Sequence, residues 1–299
     1  MLLIGDLDNR DLSEKLGSEL SLPVIYPDLH IFPDGEMRIR VMEDVTDQEI
    51  ILLKTHTSPV DSNVLQTMFL LDALKRNGAG LVTVVIPYLG YMRGDHMFRN
   101  GEGVPLEVVI KMLETFGAAK VVIIDPHSIK IPEMFTIPVA NLSALEVFAG
   151  KIKSMNLDQH AYTLVTPDMG GIRRIKILSE LLGNAPYATI EKNRDLETGA
   201  VEAAEVEGEI KKVIFVVDDM ISSGGTIIKA LDALREKGAE KMYVMATHAV
   251  FSENAPQLLE RSKAKKVFVT DSMPISSQKQ FKKLEVISLA PMIAKSLKG

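Results

Sequence analysis

Two adjacent carboxylates, Asp218 and Asp219, stand between an apolar run, Val213-Ile214-Phe215-Val216-Val217, and a string of small residues, Ser222-Ser223-Gly224-Gly225-Thr226. Vicinal acids suit a sugar's hydroxyl pair or a hydrated cation. Small residues let a phosphate approach backbone N–H groups, most favourably where a helix begins and its dipole attracts an anion. The string holds no lysine and no Gly-Lys-Ser/Thr ending, so a Walker loop is excluded. A glycine pair in a strand-to-helix turn would by itself be ordinary structure flanked by solvated acids. The acids placed directly before it shift the reading to a site.

Other stretches could do related chemistry. Thr166-Pro167-Asp168-Met169-Gly170-Gly171 again sets an acid before glycines. Asp125-Pro126-His127 ends an apolar run, and an Asp with a His can share a cation, although such a pair alone is more often structural. The stretch from Pro87 to Gly103 is long for a connecting loop. It offers Arg93, His96 and Arg99 to phosphates and Tyr91 or Phe98 to a base, yet a plain solvated loop has the same composition. Phe32-Pro33-Asp34-Gly35-Glu36 reads locally as a solvated hairpin turn around Pro-Asp-Gly. Lys192-Asn193-Arg194 opens an acidic, nearly unpatterned run to Glu209, expected as a mobile loop.

The elements that must position these residues alternate. Short apolar runs at Leu2–Ile4, Ile50–Leu53, Val82–Ile86 and Val121–Ile124 predict strands buried on both faces. Between them, amphipathic segments predict helices through Leu12, Leu16 and Leu20, over Ser62–Arg76 and over Glu107–Phe116. Leu142–Ile152 also reads as helical, and the polar stretch Lys153–His160 as a domain junction. The second half repeats the alternation: strands at Tyr162–Val165, Tyr187–Ile190, Val213–Val217, Met242–Ala246, Lys266–Val269 and Val286–Leu289. Helices are expected over Ile172–Leu182, from Thr226 to a stop at Gly238, and over Met292–Leu297. The expected fold is α/β, with two doubly wound parallel-sheet domains spanning 1–145 and 146–299.

At 299 residues the chain is long enough for two cores. A net charge of −6 argues against a general nucleic-acid or membrane-surface binder. No apolar run reaches membrane-spanning length, and no charged-then-apolar leader opens the sequence, which makes the cytoplasm the expected location. With no cysteine there is no disulfide, thiol nucleophile or thiolate metal site.

In order along the chain, the Phe32–Glu36 turn, the Tyr91–Asp95 loop, Asp125–His127, Thr166–Gly171, Lys192–Arg194 and Asp218–Thr226 together resemble the ribose-phosphate diphosphokinase family over nearly the whole length. The last string resembles the phosphoribosyl-diphosphate motif of the type I phosphoribosyltransferase fold. The resemblance implies synthesis of phosphoribosyl diphosphate and AMP from ATP and ribose 5-phosphate, with Mg2+ as cofactor, in a homo-oligomer of at least two chains. It implies that Ser222, Ser223, Gly224, Gly225 and Thr226 hold the sugar phosphate, with Asp218 and Asp219 at the ribose hydroxyls. Asp168 would lie beside that sugar and its magnesium, and His127 would bind the magnesium on ATP. Phe32, Asp34 and Glu36 would reach ATP across a subunit interface, where Arg93 and Asp95 complete the nucleotide site. Lys192 and Arg194 would close over the phosphates as catalytic cations. The family often carries a further acid where Ser222 stands and a glutamine where Gly94 stands. Two rivals remain: a phosphoribosyltransferase, which would leave the first half unexplained, and a catalytically silent regulatory homologue, against which His127, Lys192 and Arg194 count.

Overall fold

A computed structural model describes residues 1–194 and 201–298, with backbone alone for 191–194 and 201–205. The chain divides into two compact units, Met1–Leu142 with Ser272–Pro274 and Ser288–Gly299, and Ser143–Asp271 with Ile275–Ile287. The first contributes β1 (Leu2–Ile4), α1 (Arg10–Leu20), β2 (Val24–Ile25), β3 (Asp28–Ile31), β4 (Met37–Arg40), β5 (Ile50–Leu53), α2 (Val60–Arg76), β6 (Val82–Ile86), α3 (Pro105–Thr115), β7 (Lys120–Ile124) and β8 (Val139–Leu142). The second contributes α4 (Leu145–Ser154), β9 (Tyr162–Thr166), α5 (Ile172–Leu181), β10 (Tyr187–Arg194), β11 (Val201–Glu207), β12 (Val213–Ile221), α6 (Gly225–Glu236), β13 (Lys241–Ala249), α7 (Ala255–Arg261), β14 (Ala264–Thr270) and β15 (Leu284–Ile287). Helix α8 (Ala290–Lys298) returns to the first unit.

Each unit is built on a parallel sheet. The first runs in the order β2-β1-β5-β6-β7-β8 and the second β11-β10-β9-β12-β13-β14-β15. Their strands are continuous apolar runs because both faces are covered: Ile50 to Leu53 and Ile214 to Val217 are all buried. In the second sheet alternate residues of β12 serve different cores. Ile214 and Val216 join a cluster with Ile227, Leu231 and Leu234 of α6. Phe215 sits in an aromatic row, 5.3 Å from the Tyr162 ring and 5.0 Å from that of Tyr243, with Phe268 6.1 Å further on. This is the α/β, doubly wound arrangement that the alternation of patterns predicts.

Doubly wound sheets bind ligands where neighbouring strands send their chains in opposite directions. In the second unit that point lies between β9, which leads to β10 on one side, and β12, which leads to β13 on the other. In the first unit it lies between β1 and β5 by the same reasoning.

The structure departs from expectation in three places. Val139–Leu142 is a strand, with the helix beginning only at Leu145. The expected mobile run is occupied at both ends by strands: β10 continues to Arg194, and β11 pairs with it antiparallel, Lys192 opposite Ala204 and Arg194 opposite Val201. An antiparallel pairing satisfies the backbone of both strands whatever their side chains, so hydrophobic periodicity leaves little trace of it. The expectation of mobility at 195–200 itself lies outside the described residues. Finally, the chain leaves the first unit after Leu142, not within Lys153–His160, and its end returns. Helix α8 packs on α1, with Lys298 Nζ donating to the Glu19 carbonyl at 2.8 Å. A polar stretch marks a surface loop, and contiguity in sequence cannot register a terminus that doubles back.

Candidate active site

Strand β12 outlasts its neighbour. Its pairing with β9 covers Val213 to Val216, whereas pairing with β13 continues to Ile221. Asp218 and Asp219 therefore sit in the strand itself, beyond the last paired residue on the β9 side. The sequence reading had them emerging after the strand. The chain leaving β9 brings Asp168 close enough to Asp218 for their charges to interact. Gly171 is required there: a Cβ at that position would lie 2.0 Å from Thr166 Oγ1. That hydroxyl donates to the Asp168 carbonyl at 3.0 Å and ties the turn back to its strand.

Beyond Ile221 the residues 222–224 turn into α6. Gly224 occupies the left-handed region, φ 81°, where a side chain is strained. It is the N-cap and has no side chain to accept a hydrogen bond. The first helical amide bonded to it is Ile228 N–H, to the Gly224 carbonyl at 3.0 Å, so the N–H groups of Gly225, Thr226 and Ile227 precede the helix's own ladder. Gly225 has a different role from Gly224. A Cβ there would meet nothing nearer than Ser223 Oγ at 3.9 Å, so the protein itself does not need glycine. The open space suits an anion at the helix N-terminus. Ser222 is held by Ser252, Oγ to Oγ 3.1 Å, and the Ser222 carbonyl accepts from Ser252 N–H at the same distance.

A residue the sequence reading missed completes this group. Arg174, in the first turn of α5, places Nη1 3.6 Å from Asp218 Oδ1 and Nη2 3.6 Å from Asp219 Oδ1. A signal for it existed. Arg173 and Arg174 stand at a helix N-terminus, where the dipole opposes cations, so a compensating anion was to be expected. The guanidinium does not dominate the balance. Burial pushes the Asp218 carboxyl up to about 8, helped by its hydrogen bond with Asp219 and the charge of Asp219, and Arg174 only partly opposes this. Near neutral pH the pair holds a proton: one group can donate while the other accepts.

The remaining candidate residues, Lys192 and Arg194 apart, lie in the first unit. The Phe32–Glu36 turn closes a separate two-stranded sheet of β3 and β4. Phe32 N–H donates to the Glu36 carbonyl at 2.8 Å, Gly35 takes φ 90°, and Glu36 N–H donates to Asp34 Oδ1 at 3.1 Å. The hairpin expected from Pro-Asp-Gly is thus present, with Phe32 exposed. In the 87–103 loop, Arg93 is exposed, whereas Asp95 Oδ1 contacts His96 Nδ1 at 2.7 Å. Glu102 Oε2 accepts from Phe98 and Arg99 N–H at 3.0 and 2.9 Å, so the loop is internally tied. A side chain at Gly94 would lie 3.2 Å from Pro105 Cδ at the start of α3, which accounts for the small residue. His127 is exposed beyond β7, after Asp125 at φ 37°. Lys192 and Arg194 lie on β10, and their side chains fall outside the described residues.

Among the described residues no group of three or more His, Asp or Glu side chains forms a metal cage. No helix among them is long and apolar enough to cross a membrane.

Comparison with known proteins agrees with this architecture. Residues 1–117 match the model of the N-terminal domain of ribose phosphate pyrophosphokinase, and residues 195–299 that of the phosphoribosyl synthetase-associated domain. The ribose-phosphate pyrophosphokinase of Streptomyces coelicolor is 33% identical over 300 residues, covering 100% of this chain and 92% of that protein. That of Thermotoga maritima is 34% identical over 291 residues, 97% of this chain and 91% of its own. The crystal structure of phosphoribosylpyrophosphate synthetase from Mycobacterium smegmatis superposes with a TM-score of 0.92 at 32% identity, covering 100% of this chain and 97% of that one.

The raised Asp218 carboxyl has a consequence for stability. The folded protein keeps a proton up to about pH 8 that an unfolded chain, with an ordinary value of 3.8, has already released. The unfolded state therefore binds fewer protons between those limits, and stability contributed at this site falls as pH rises. Asp218→Asn should be more stable than the parent at pH 8, with the gain shrinking toward pH 4. Urea denaturation at pH 5, 6.5 and 8 checks this, and a pH-independent difference between the two proteins would contradict it.

Proposed function

The chain belongs to the ribose-phosphate pyrophosphokinase family, and from that premise we propose that it transfers the diphosphoryl group of ATP to the 1-hydroxyl of ribose 5-phosphate, releasing AMP. The observation that carries the reading is the meeting, at one switch point, of a carboxyl pair sharing a proton with an uncapped helix N-terminus. The N–H groups at the start of α6 suit the 5-phosphate. Asp218 and Asp219 suit a ribose diol, whose hydroxyls need both a donor and an acceptor.

In the reaction the ribose O1 attacks the β-phosphorus and gives up its hydroxyl proton to solvent, the bond from that phosphorus to the α,β-bridging oxygen breaks, and AMP leaves with the electron pair. Such transfer depends on in-line positioning and on neutralising spreading charge. Magnesium bound with the nucleotide would be held by His127 and would polarise the phosphates as a Lewis acid, and Asp168 would hold the magnesium that accompanies the sugar. Arg93, Asp95, Phe32, Asp34 and Glu36 receive the nucleotide. Lys192 and Arg194 stabilise charge growing on the bridging oxygen. No general base is assigned. The expected location is the cytoplasm.

Assembly is part of the proposal. Ile31, Phe32 and Met42 at the ends of β3 and β4 are exposed, as are Leu65 and Phe69 of α2, on which β4 packs. Exposed apolar side chains of this kind suit a second copy of the chain. The active species should be a dimer or larger, and sedimentation combined with activity measurements over a dilution series tests it. A fully active monomer would refute shared sites.

The assay that tests the function is AMP formation from ATP that depends on ribose 5-phosphate; hydrolysis of ATP independent of the sugar would overturn the reading. Within it, Gly225→Val should fold normally, given the free space around that position. It should nevertheless abolish sugar-phosphate binding in calorimetry, since the added methyls occupy the anion's seat. Unchanged affinity would place the phosphate elsewhere.

Lys192→Ala addresses chemistry apart from binding. Its charge acts chiefly on the transition state, so kcat should fall by about two to four orders of magnitude, with KM for ribose 5-phosphate little changed. Arg194→Ala should behave alike, and the double variant should lose less than the product of the two. A large rise in KM with kcat preserved would make both ordinary binding cations.

A further inference from the structure

The switch point of the first unit is occupied by the protein's own side chains. Lys54, directly after β5, is buried together with Asp6, two residues after β1. Lys54 Nζ lies 3.0 Å from Asp6 Oδ1 and 3.2 Å from Asp8 Oδ2, and Asp6 Oδ2 accepts from Thr55 N–H at 2.7 Å. A third hydrogen bond runs from Lys54 Nζ to Asn63 Oδ1 of α2. The Asn63 carbonyl accepts from Thr67 Oγ1 at 2.9 Å, and Thr67 Oγ1 stands 3.1 Å from His56 Nε2. The other ring nitrogen, His56 Nδ1, accepts from Gly90 N–H at 3.2 Å. A continuous line of contacts thus joins the buried ammonium to the beginning of the 87–103 loop.

The partners fix the state of His56. A backbone N–H can only donate, so Nδ1 must be bare. The Thr67 hydroxyl has spent its proton on Asn63, so it can only accept, and Nε2 must carry the hydrogen. Burial, with Lys54 nearby, pushes the imidazole down to about 3, which keeps the ring neutral and the acceptor available. Contact with the loop is close. A Cβ at Gly90 would lie 3.0 Å from His56 Cβ and 2.8 Å from Val60 Cγ1, so only glycine lets this backbone approach the ring.

We infer that His56 is a positioning residue for the nucleotide, acting through the Gly90 amide to fix the root of the loop that carries Arg93 and Asp95. This rests on the reading of that loop as a nucleotide contact. His56 itself is buried and touches no substrate. Its effect should therefore fall on ATP and not on ribose 5-phosphate, whose proposed residues lie in the second unit.

The test compares the parent with His56→Leu, His56→Asn and Thr67→Val. Asparagine places an oxygen close to the position of Nδ1 and restores the acceptor, whereas leucine keeps volume without it. In His56→Leu the Gly90 amide should exchange with deuterium about tenfold faster, and KM for ATP should rise about tenfold, the scale of one lost buried hydrogen bond. KM for ribose 5-phosphate should stay within about twofold, and His56→Asn should recover most of the loss. Imidazole 15N shifts of the parent should report the Nε2–H tautomer, and Thr67→Val should weaken that preference. Should the leucine variant not fold, the tautomer and the asparagine and valine variants still decide. An Nδ1–H tautomer, a protected Gly90 in His56→Leu, or equal rises in both KM values would overturn the inference. If the parent makes no AMP, the functional reading fails, while amide exchange and tautomer still judge the anchor separately.

Discussion

A parallel sheet whose strands turn away from one another leaves a crevice at their carboxyl ends, and the groups that line it must be satisfied by ligand or by protein. The two units of this chain resolve that constraint oppositely. In the first, an ammonium group fills the point between β1 and β5 and is met by two carboxylates and an amide oxygen. In the second, the point between β9 and β12 carries carboxylates in excess of the nearby cation, and a helix whose first N–H groups have no capping side chain. One crevice is closed by internal neutralisation; the other gathers Asp168, Asp218 and Asp219 with one guanidinium and an uncapped helix N-terminus.

That difference has an energetic side. Removing one partner from a buried, fully paired cluster leaves an uncompensated charge and costs several kcal/mol, about 3 to 5 in comparable cases. Lys54 and Asp6 are thus committed to structure. The Asp218–Asp219 pair is instead held in an unfavourable state, burial and mutual repulsion keeping a proton on a group that would ordinarily have lost it. Arg174 relieves this only partially from 3.6 Å, beyond hydrogen-bond contact.

The sequence made the architecture legible because the strands are short apolar runs and the intervening helices carry a clear 3.6-residue period. It also located Asp168, Asp218 and the small residues before α6, because acids and glycines at the end of an apolar run break the pattern visibly. It did not reveal that β12 extends through both aspartates, since strand length is set by the partner β13 and not by the residues' own polarity. The apolar spacing of α8 marks it as a helix but not the unit it joins, because docking depends on a surface formed by α1 far away in the chain. Arg174 and the Lys54–His56 cluster went unnoticed for a related reason. A lone cation or histidine in a polar stretch has many uses, and only its three-dimensional neighbours select one.

The glycines show how far local chemistry can separate roles that composition merges. Gly224 and Gly225 are adjacent and look interchangeable in a Gly-Gly pair. Gly224 is demanded by the backbone, at φ 81°, and would be needed whether or not anything bound. Gly225 is not demanded by the protein at all, since a side chain there would meet open space. Gly171 and Gly90 form a third kind, required because the Thr166 hydroxyl at the one, and Val60 Cγ1 and His56 Cβ at the other, occupy the volume a Cβ would take. Of these four, Gly225 alone has no reason within the polypeptide. A position that physical constraint leaves free, at the start of a helix and close to two carboxyl groups, is one that a bound anion would explain.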